Sequence, residues 1–192
     1  MLLLSFTSCV TIIKWKYGIT NPKDQTPEKL ISFLEKHHYP DSCQFIFNDS
    51  LSYFQSIRDS VFRKHMFGYM IFDCHGSLIQ KDTTQCQWSG YEAIKALTPD
   101  SSFLQLNGLE LCGILDHIQP VGLNPGKDTV FRHPDFTVIV TWAKFLGTFN
   151  SRLFELSDAV KQNRKARIRL FWLNVDMQES WNLTKDQKLE IK

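Results

Sequence analysis

Five cysteines and six histidines are the residues with most chemistry to offer in this 192-residue chain. Their spacing limits what they can do. Cys9, Cys43, Cys74, Cys86 and Cys112 form no Cys-x-x-Cys pair. Neither a zinc knuckle nor a dithiol redox motif can therefore be written, and each of the last four is expected as a buried, inert thiol. Cys74 and Cys86 stand in the two arms of one expected hairpin or just beyond it, which makes them the candidate disulfide or thiol pair. Cys74 precedes His75 but has no helix N-terminus to lower its pKa, so a structural bridge or free thiols are expected over catalysis. His37 and His38 are adjacent and point in different directions on a helix, and no His-x-x-x-His spacing occurs. No metal and no cofactor is expected. Paired carboxylates for acid–base work and a phosphate-cradling glycine loop are not visible either.

Such residues need a scaffold, and the composition supplies one. The length is that of one ordinary domain, and 43 % apolar with 13 % aromatic residues fill a core of that size. Twenty-two basic against twenty acidic residues leave a net charge of +2. The only short basic run is "NRKARIR", Asn163 to Arg169, so nucleic acid is not an expected partner. That run is expected to cap the C-terminal end of a helix, where cations complement free carbonyls.

The chain opens on "MLLLSFTSCV", an apolar run that breaks off at small residues before Cys9. It resembles a bacterial lipoprotein signal peptide, which implies lipidation at Cys9 and a membrane-anchored place in the cell envelope, facing the periplasm or the outside. It departs from that pattern in having no basic residue before the apolar run and Phe6 where Leu is usual. The run is too short to span a bilayer; the competing reading is a buried N-terminal strand. In an envelope compartment Cys43, Cys74, Cys86 and Cys112 would be free to form disulfides. Residues 10–25 read as a tether or a short strand, 26–180 as a single domain and 181–192 as a polar tail.

Within the domain, Thr26-Pro27-Glu28 signals a helix start, with Thr26 as cap and Pro27 where its missing N–H costs nothing. The helix carries Leu30, Ile31, Phe33 and Leu34 on one face and stops at or before Tyr39, ahead of Pro40. "CQFIFND" reads as a buried strand, and "SLSYFQSIRDSVFRKH" as a helix with Leu51, Phe54, Ile57, Val61 and Phe62 at helical spacing. "GYMIFDCHGSLIQKD" is the clearest hairpin, turning at 73–76 with Gly76 supplying a positive φ. "EAIKAL" is a short helix stopped by Thr98-Pro99. From Asp100 to Pro134 few elements can be placed. "FTVIVTWAKF" is a strand buried on both faces; a turn and a helix follow, capped by Asn150 or Ser151, with Leu153, Phe154, Leu156 and Val160 inward. "ARIRLFWLNVDM" is a second buried strand, and the pair with its helix make a crossover unit in a parallel sheet.

Residues 136–178 resemble the strand, helix and strand around the active site of thioredoxin-like proteins. "VIVTWAKFLGTF" is similar to that family's strand followed by Trp-Ala-x-Trp-Cys-Gly-Pro-Cys, and "LNVDMQ" to its next strand ending in an acidic turn. Trp142 and Ala143 match the Trp-Ala, Phe145 the second tryptophan and Gly147 the glycine. Leu146 stands at the attacking cysteine, Thr148 at the proline and Phe149 at the resolving cysteine. The resemblance implies an α/β, three-layer thioredoxin-like sandwich with a central mixed sheet. The hairpin and "EAIKAL" helix are similar to the family's antiparallel strand pair and final helix, yet precede the active-site-like unit. The domain is then either circularly permuted or elaborated by a separate first half. The cis-proline before the family's hairpin is replaced by Phe67 and Gly68.

A thiolate at a helix N-terminus and a second thiol to resolve the mixed disulfide are what the family's reaction needs. Leucine and phenylalanine supply neither. Two functions are therefore expected as alternatives. One is a redox-inactive thioredoxin-like envelope lipoprotein, a binding or accessory module for a protein or peptide partner, with the groove beside Trp142 and Phe145 as its surface. The other is a thiol-disulfide oxidoreductase or peroxidase-type enzyme using Cys74 and Cys86.

Overall fold

Thr26 and Pro27 start the first helix as their residue types require. In a computed structural model that describes residues 14, 16–40, 43–80, 90–100, 102–121 and 133–188, α1 spans Pro27–Lys36 and the Thr26 hydroxyl accepts from the Lys29 amide. Leu30 and Leu34 of α1 are buried. Strand β1 (Gln44–Phe47) follows.

The next helical stretch differs from its expected form. It is two helices, α2 (Ser50–Arg58) and α3 (Ser60–His65), because the Asp59 carboxylate accepts from the Val61 and Phe62 amides and starts a new helix there. The inward face of α2 is Ser52 and Tyr53, whereas Leu51 is 64 % exposed. The break resets the helical phase, so one continuous apolar face cannot run through both.

The hairpin is formed by β2 (Tyr69–Asp73) and β3 (Ser77–Gln80). Gly76 sits at φ +84°, and the Asp73 carboxylate accepts from the amides of His75 and Ser77 to hold the turn. Helix α4 (Gly90–Lys95) follows. The stretch that offered few sequence signals holds β4 (Leu104–Glu110), α5 (Leu111–Leu115) and β5 (Ile118–Pro120). Strand β6 (Phe136–Trp142) is buried at all seven positions. It leads through a short 3-10 turn (Lys144–Leu146), α6 (Phe149–Phe154) and α7 (Leu156–Gln162) to β7 (Ile168–Asn174).

These strands form one mixed α/β sheet in the order β4-β3-β2-β6-β7-β1-β5. Strands β6 and β7 pair in parallel from Phe136–Ile168 to Trp142–Asn174, and β1 extends the parallel set beyond β7. Strand β2 lies antiparallel against the other edge of β6. The crossover expected between β6 and β7 is thus present, and β6 is the central strand. Its continuous apolar run is what a strand covered on both faces requires.

In the basic run past α7, Arg167 pairs with Asp135 at 2.8 Å, and Asn163 is the residue at which the helix ends. The Asn163 side chain donates to the carbonyls of Ile94 and Leu97 and accepts from the amides of Lys165 and Ala166. It joins α4, α7 and the entry to β7.

Candidate functional site

The C-terminal end of β6 delivers the turn that the sequence singles out. Trp142 is 1 % exposed; its indole N–H donates to Gln44 Oε1 at 3.0 Å and its ring stacks on Phe33 of α1. Ala143, Phe145 and Leu146 are buried as well. Trp142 and Phe145 therefore belong to the core, although Phe145 also borders an open cleft beside the turn. Phe67 packs edge-on against Phe145 and is itself partly exposed, so the segment preceding β2 lies beside the turn. Thr141 fastens that segment: its hydroxyl donates to the His65 carbonyl and accepts from the Gly68 amide.

Asn150 does not cap α6, since it lies one residue inside the helix. Its side-chain amide donates back to the carbonyls of Ala143 (2.8 Å) and Gly147 (3.1 Å), tying the turn to the helix it feeds. Gly147 is at φ +57° and ψ −132°, a conformation that glycine adopts at little cost.

The segment read as a tether is packed on this turn where it is described. The Tyr17 carbonyl accepts from both the amide and the hydroxyl of Thr148, and the Thr20 amide donates to the Phe145 carbonyl. The Tyr17 ring meets Phe149 edge-on at 5.6 Å, with the Arg152 guanidinium over its face. A Cβ on Gly147 would collide with the Tyr17 carbonyl oxygen. Glycine here is thus required twice, by its backbone angle and by the closeness of residues 17–18. Further along, Gln25 forms a parallel bridge with Gln178.

Behind the turn lies Asp176, two residues past β7 and 1 % exposed. One carboxylate oxygen accepts from the Lys144 amide (2.6 Å) and from Asn174 Nδ2 (2.8 Å). Burial pushes the Asp176 carboxyl up to about 6. The Lys144 amide, Asn174, the nearby Phe145 amide and the Lys144 charge pull against that rise. Among the described residues Oδ1 has no hydrogen-bond partner. Burial, and after it the charge of Asp176, raises the Tyr53 phenol well above its ordinary value.

Asp176 also lines an open cleft of about 680 Å³ between α1, residues 20–25 and the Lys144–Phe145 turn. Lys29, Ser32, Phe33 and Lys36 present one face of α1 to it, at the i, i+3, i+4, i+7 spacing that brings side chains together on a helix. Lys23 and Lys144 face them from the other two walls. Lys144 Nζ donates to Gln25 and sits 6.0 Å from the Phe33 ring centroid. Sequence reasoning did not find this cleft. Its Lys144–Phe145 wall lies more than a hundred residues from the other two, and no local pattern marks them.

Of the remaining candidates, Cys9 and Cys86 lie outside the described residues. Cys74 is a free, exposed thiol in the β2–β3 turn, Cys112 is free and exposed with its thiol 3.5 Å from Glu110, and Cys43 is buried. The expectation of buried thiols thus holds for Cys43 and fails for the other two, whose turn and helix-start positions face solvent. Among the described residues no group of three or more His, Cys, Asp or Glu side chains could hold a metal ion. No helix is long and apolar enough to cross a membrane among the same residues. Compared with protein-family models, with curated protein sequences and with solved structures, the chain matches none.

Proposed function

We propose that the chain is a redox-inactive thioredoxin-like protein, its domain permuted or elaborated in its first half, that acts as a binding or accessory module, held at a bacterial envelope by lipid on Cys9. The observation that carries the reading is the turn after β6: Leu146 and Phe149 occupy the two cysteine positions, with Leu146 buried in the core. The sheet order supports the fold assignment. The β2–β3 hairpin lies beside the turn-bearing strand β6, with α4 following it, as the family's antiparallel pair and last helix would, while preceding β6 in the chain. Phe67 and Gly68, at the position of the family's cis-proline, come next to the turn through Phe145 and Thr141. A Leu and a Phe can neither attack a disulfide nor resolve one, so the activity left to such a site is binding. The surface still open beside the turn is the cleft lined by α1 and Lys144. The anchor rests on the signal-like residues ending at Cys9.

The test is a dithiothreitol redox titration of the full-length chain with thiol counting by mass spectrometry, run beside a Leu146→Cys/Phe149→Cys double variant. The parent is expected to show no reversible two-electron couple and the double variant to gain one. A parent that reversibly cycles two of its own cysteines, Cys74 among them, would return the chain to the enzymes.

A further inference from the structure

We propose that the cleft between α1, residues 20–25 and the Lys144–Phe145 turn binds a small organic anion carrying two or more carboxylates together with a hydroxyl or amino hydrogen-bond donor. The inference deepens the reading of the chain as a binding module, rests on that reading, and names the chemistry of its ligand.

Charge is the first argument. The whole chain carries a net charge of only +2, yet four lysines, at positions 23, 29, 36 and 144, line this one concavity. They come from three separate elements, which a merely solvated helix face would not explain. Glu28 and Asp176 are the carboxyls among the lining residues, and Asp176 is buried. Lys29 is engaged by Glu179 at 2.9 Å and Lys144 by the neutral Gln25. Among the described residues neither Lys23 nor Lys36 has a carboxylate within ion-pair distance. Ammonium groups are compact point charges on flexible stems, suited to several carboxylates at variable spacing. No arginine lines the cleft to impose the planar bidentate fork.

The second argument is independent of charge. Asp176 Oδ1 is an acceptor without a partner, on a side chain 1 % exposed that lines the same cleft. Buried polar atoms in folded proteins find partners in the great majority of cases. A ligand hydroxyl or N–H directed at that oxygen supplies one, while its carboxylates meet Lys23 and Lys36 and its carbon skeleton lies along the Phe33 ring. A fully ionised inorganic anion such as sulfate satisfies the lysines but brings no such donor.

Calorimetric titration of the full-length chain tests this with three probes at constant ionic strength and neutral pH: citrate, tricarballylate and sulfate. Tricarballylate has the carboxylates of citrate without its hydroxyl. Citrate is expected to bind saturably, and roughly five- to tenfold more tightly than tricarballylate. A Lys23→Gln/Lys36→Gln double variant, altered only at side chains on the cleft walls, should bind citrate about tenfold more weakly. In Asp176→Asn the advantage of citrate over tricarballylate should disappear. Absence of saturable citrate binding at millimolar concentration, or binding that ignores the two lysines, would overturn the proposal. So would equal affinity for citrate and tricarballylate, or a preference for sulfate. These results are separable from the redox titration, which can fail while the cleft binds and succeed while it does not.

Discussion

The backbone carbonyl of Tyr17 accepts two hydrogen bonds from Thr148, one from its amide at 2.8 Å and one from its hydroxyl at 3.2 Å. This closes the turn after β6 with the chain's own N-terminal segment.

Gly147 should be the residue least able to change. An alanine there meets a positive φ and a Cβ clash with the Tyr17 carbonyl oxygen. Gly147→Ala is expected to cost about 2–4 kcal/mol, with residues 16–20 released from the turn. Urea denaturation reads the first effect, and faster proteolysis within that segment reads the second. Parent-like stability with an undisturbed segment would show that Tyr17 does not approach Gly147 as described.

Asp176 should make stability depend on pH in an identifiable direction. Its carboxyl is raised by burial from an ordinary 3.8 to about 6, so the folded state holds the proton more tightly than the unfolded state. The stability this supplies is fully present below the unfolded value and is lost as pH rises through about 6. An asparagine side chain at this position would mimic the protonated form and keep an acceptor for the Lys144 amide. Relative to the parent, Asp176→Asn should therefore gain stability between pH 4 and pH 7, by on the order of 2–3 kcal/mol. A stability difference that stays flat across that range would contradict the burial of an ionisable Asp176.

Trp142 and Gln44 form a buried hydrogen bond at 3.0 Å between β6 and β1, strands separated in the sheet by β7. Gln44→Leu leaves the indole N–H without a partner and should cost about 1–3 kcal/mol. Combined with Trp142→Phe, which removes the donor, the cost of losing Gln44 should fall. Strict additivity in this double-mutant cycle would mean that the two side chains do not interact.

Asn163 should matter more than its place in a polar, basic stretch implies. Its side-chain amide serves both the Ile94 and the Leu97 carbonyls at 2.9 Å, at the C-terminal end of α4. Asn163→Ala is expected to destabilise by about 2–3 kcal/mol in urea, against less than about 0.5 kcal/mol for the same change at its exposed neighbour Arg164.

What residue types reveal is largely what short-range chemistry decides. Thr26 with Pro27, the Asp73–Gly76 turn and the predominantly apolar runs of β6 and β7 each carry their structure within a few residues. The phase of α2 and α3 is not legible, because Asp59, an ordinary helix-surface residue by pattern, accepts from two amides and restarts the helix. Strand β4 stays hidden because Gly108, at φ +106°, lies within it, and its register against β3 shifts between Ser77 and Ile79. At the site, the apolar character of Leu146 and Phe149 is legible from the residue types alone. The covering by residues 17–20 and the reach of Asp176 to the Lys144 amide are not, because each joins positions far apart in the chain with no periodicity to betray them.

Amide hydrogen exchange at Thr148 and Thr20, resolved by NMR on the native full-length chain, tests the closed turn most directly. Both amides should be strongly protected, because each donates to a carbonyl across the contact between the N-terminal segment and the turn, Thr148 to Tyr17 and Thr20 to Phe145. Exchange of both at the rate of an open loop would show the turn uncovered and contradict the account.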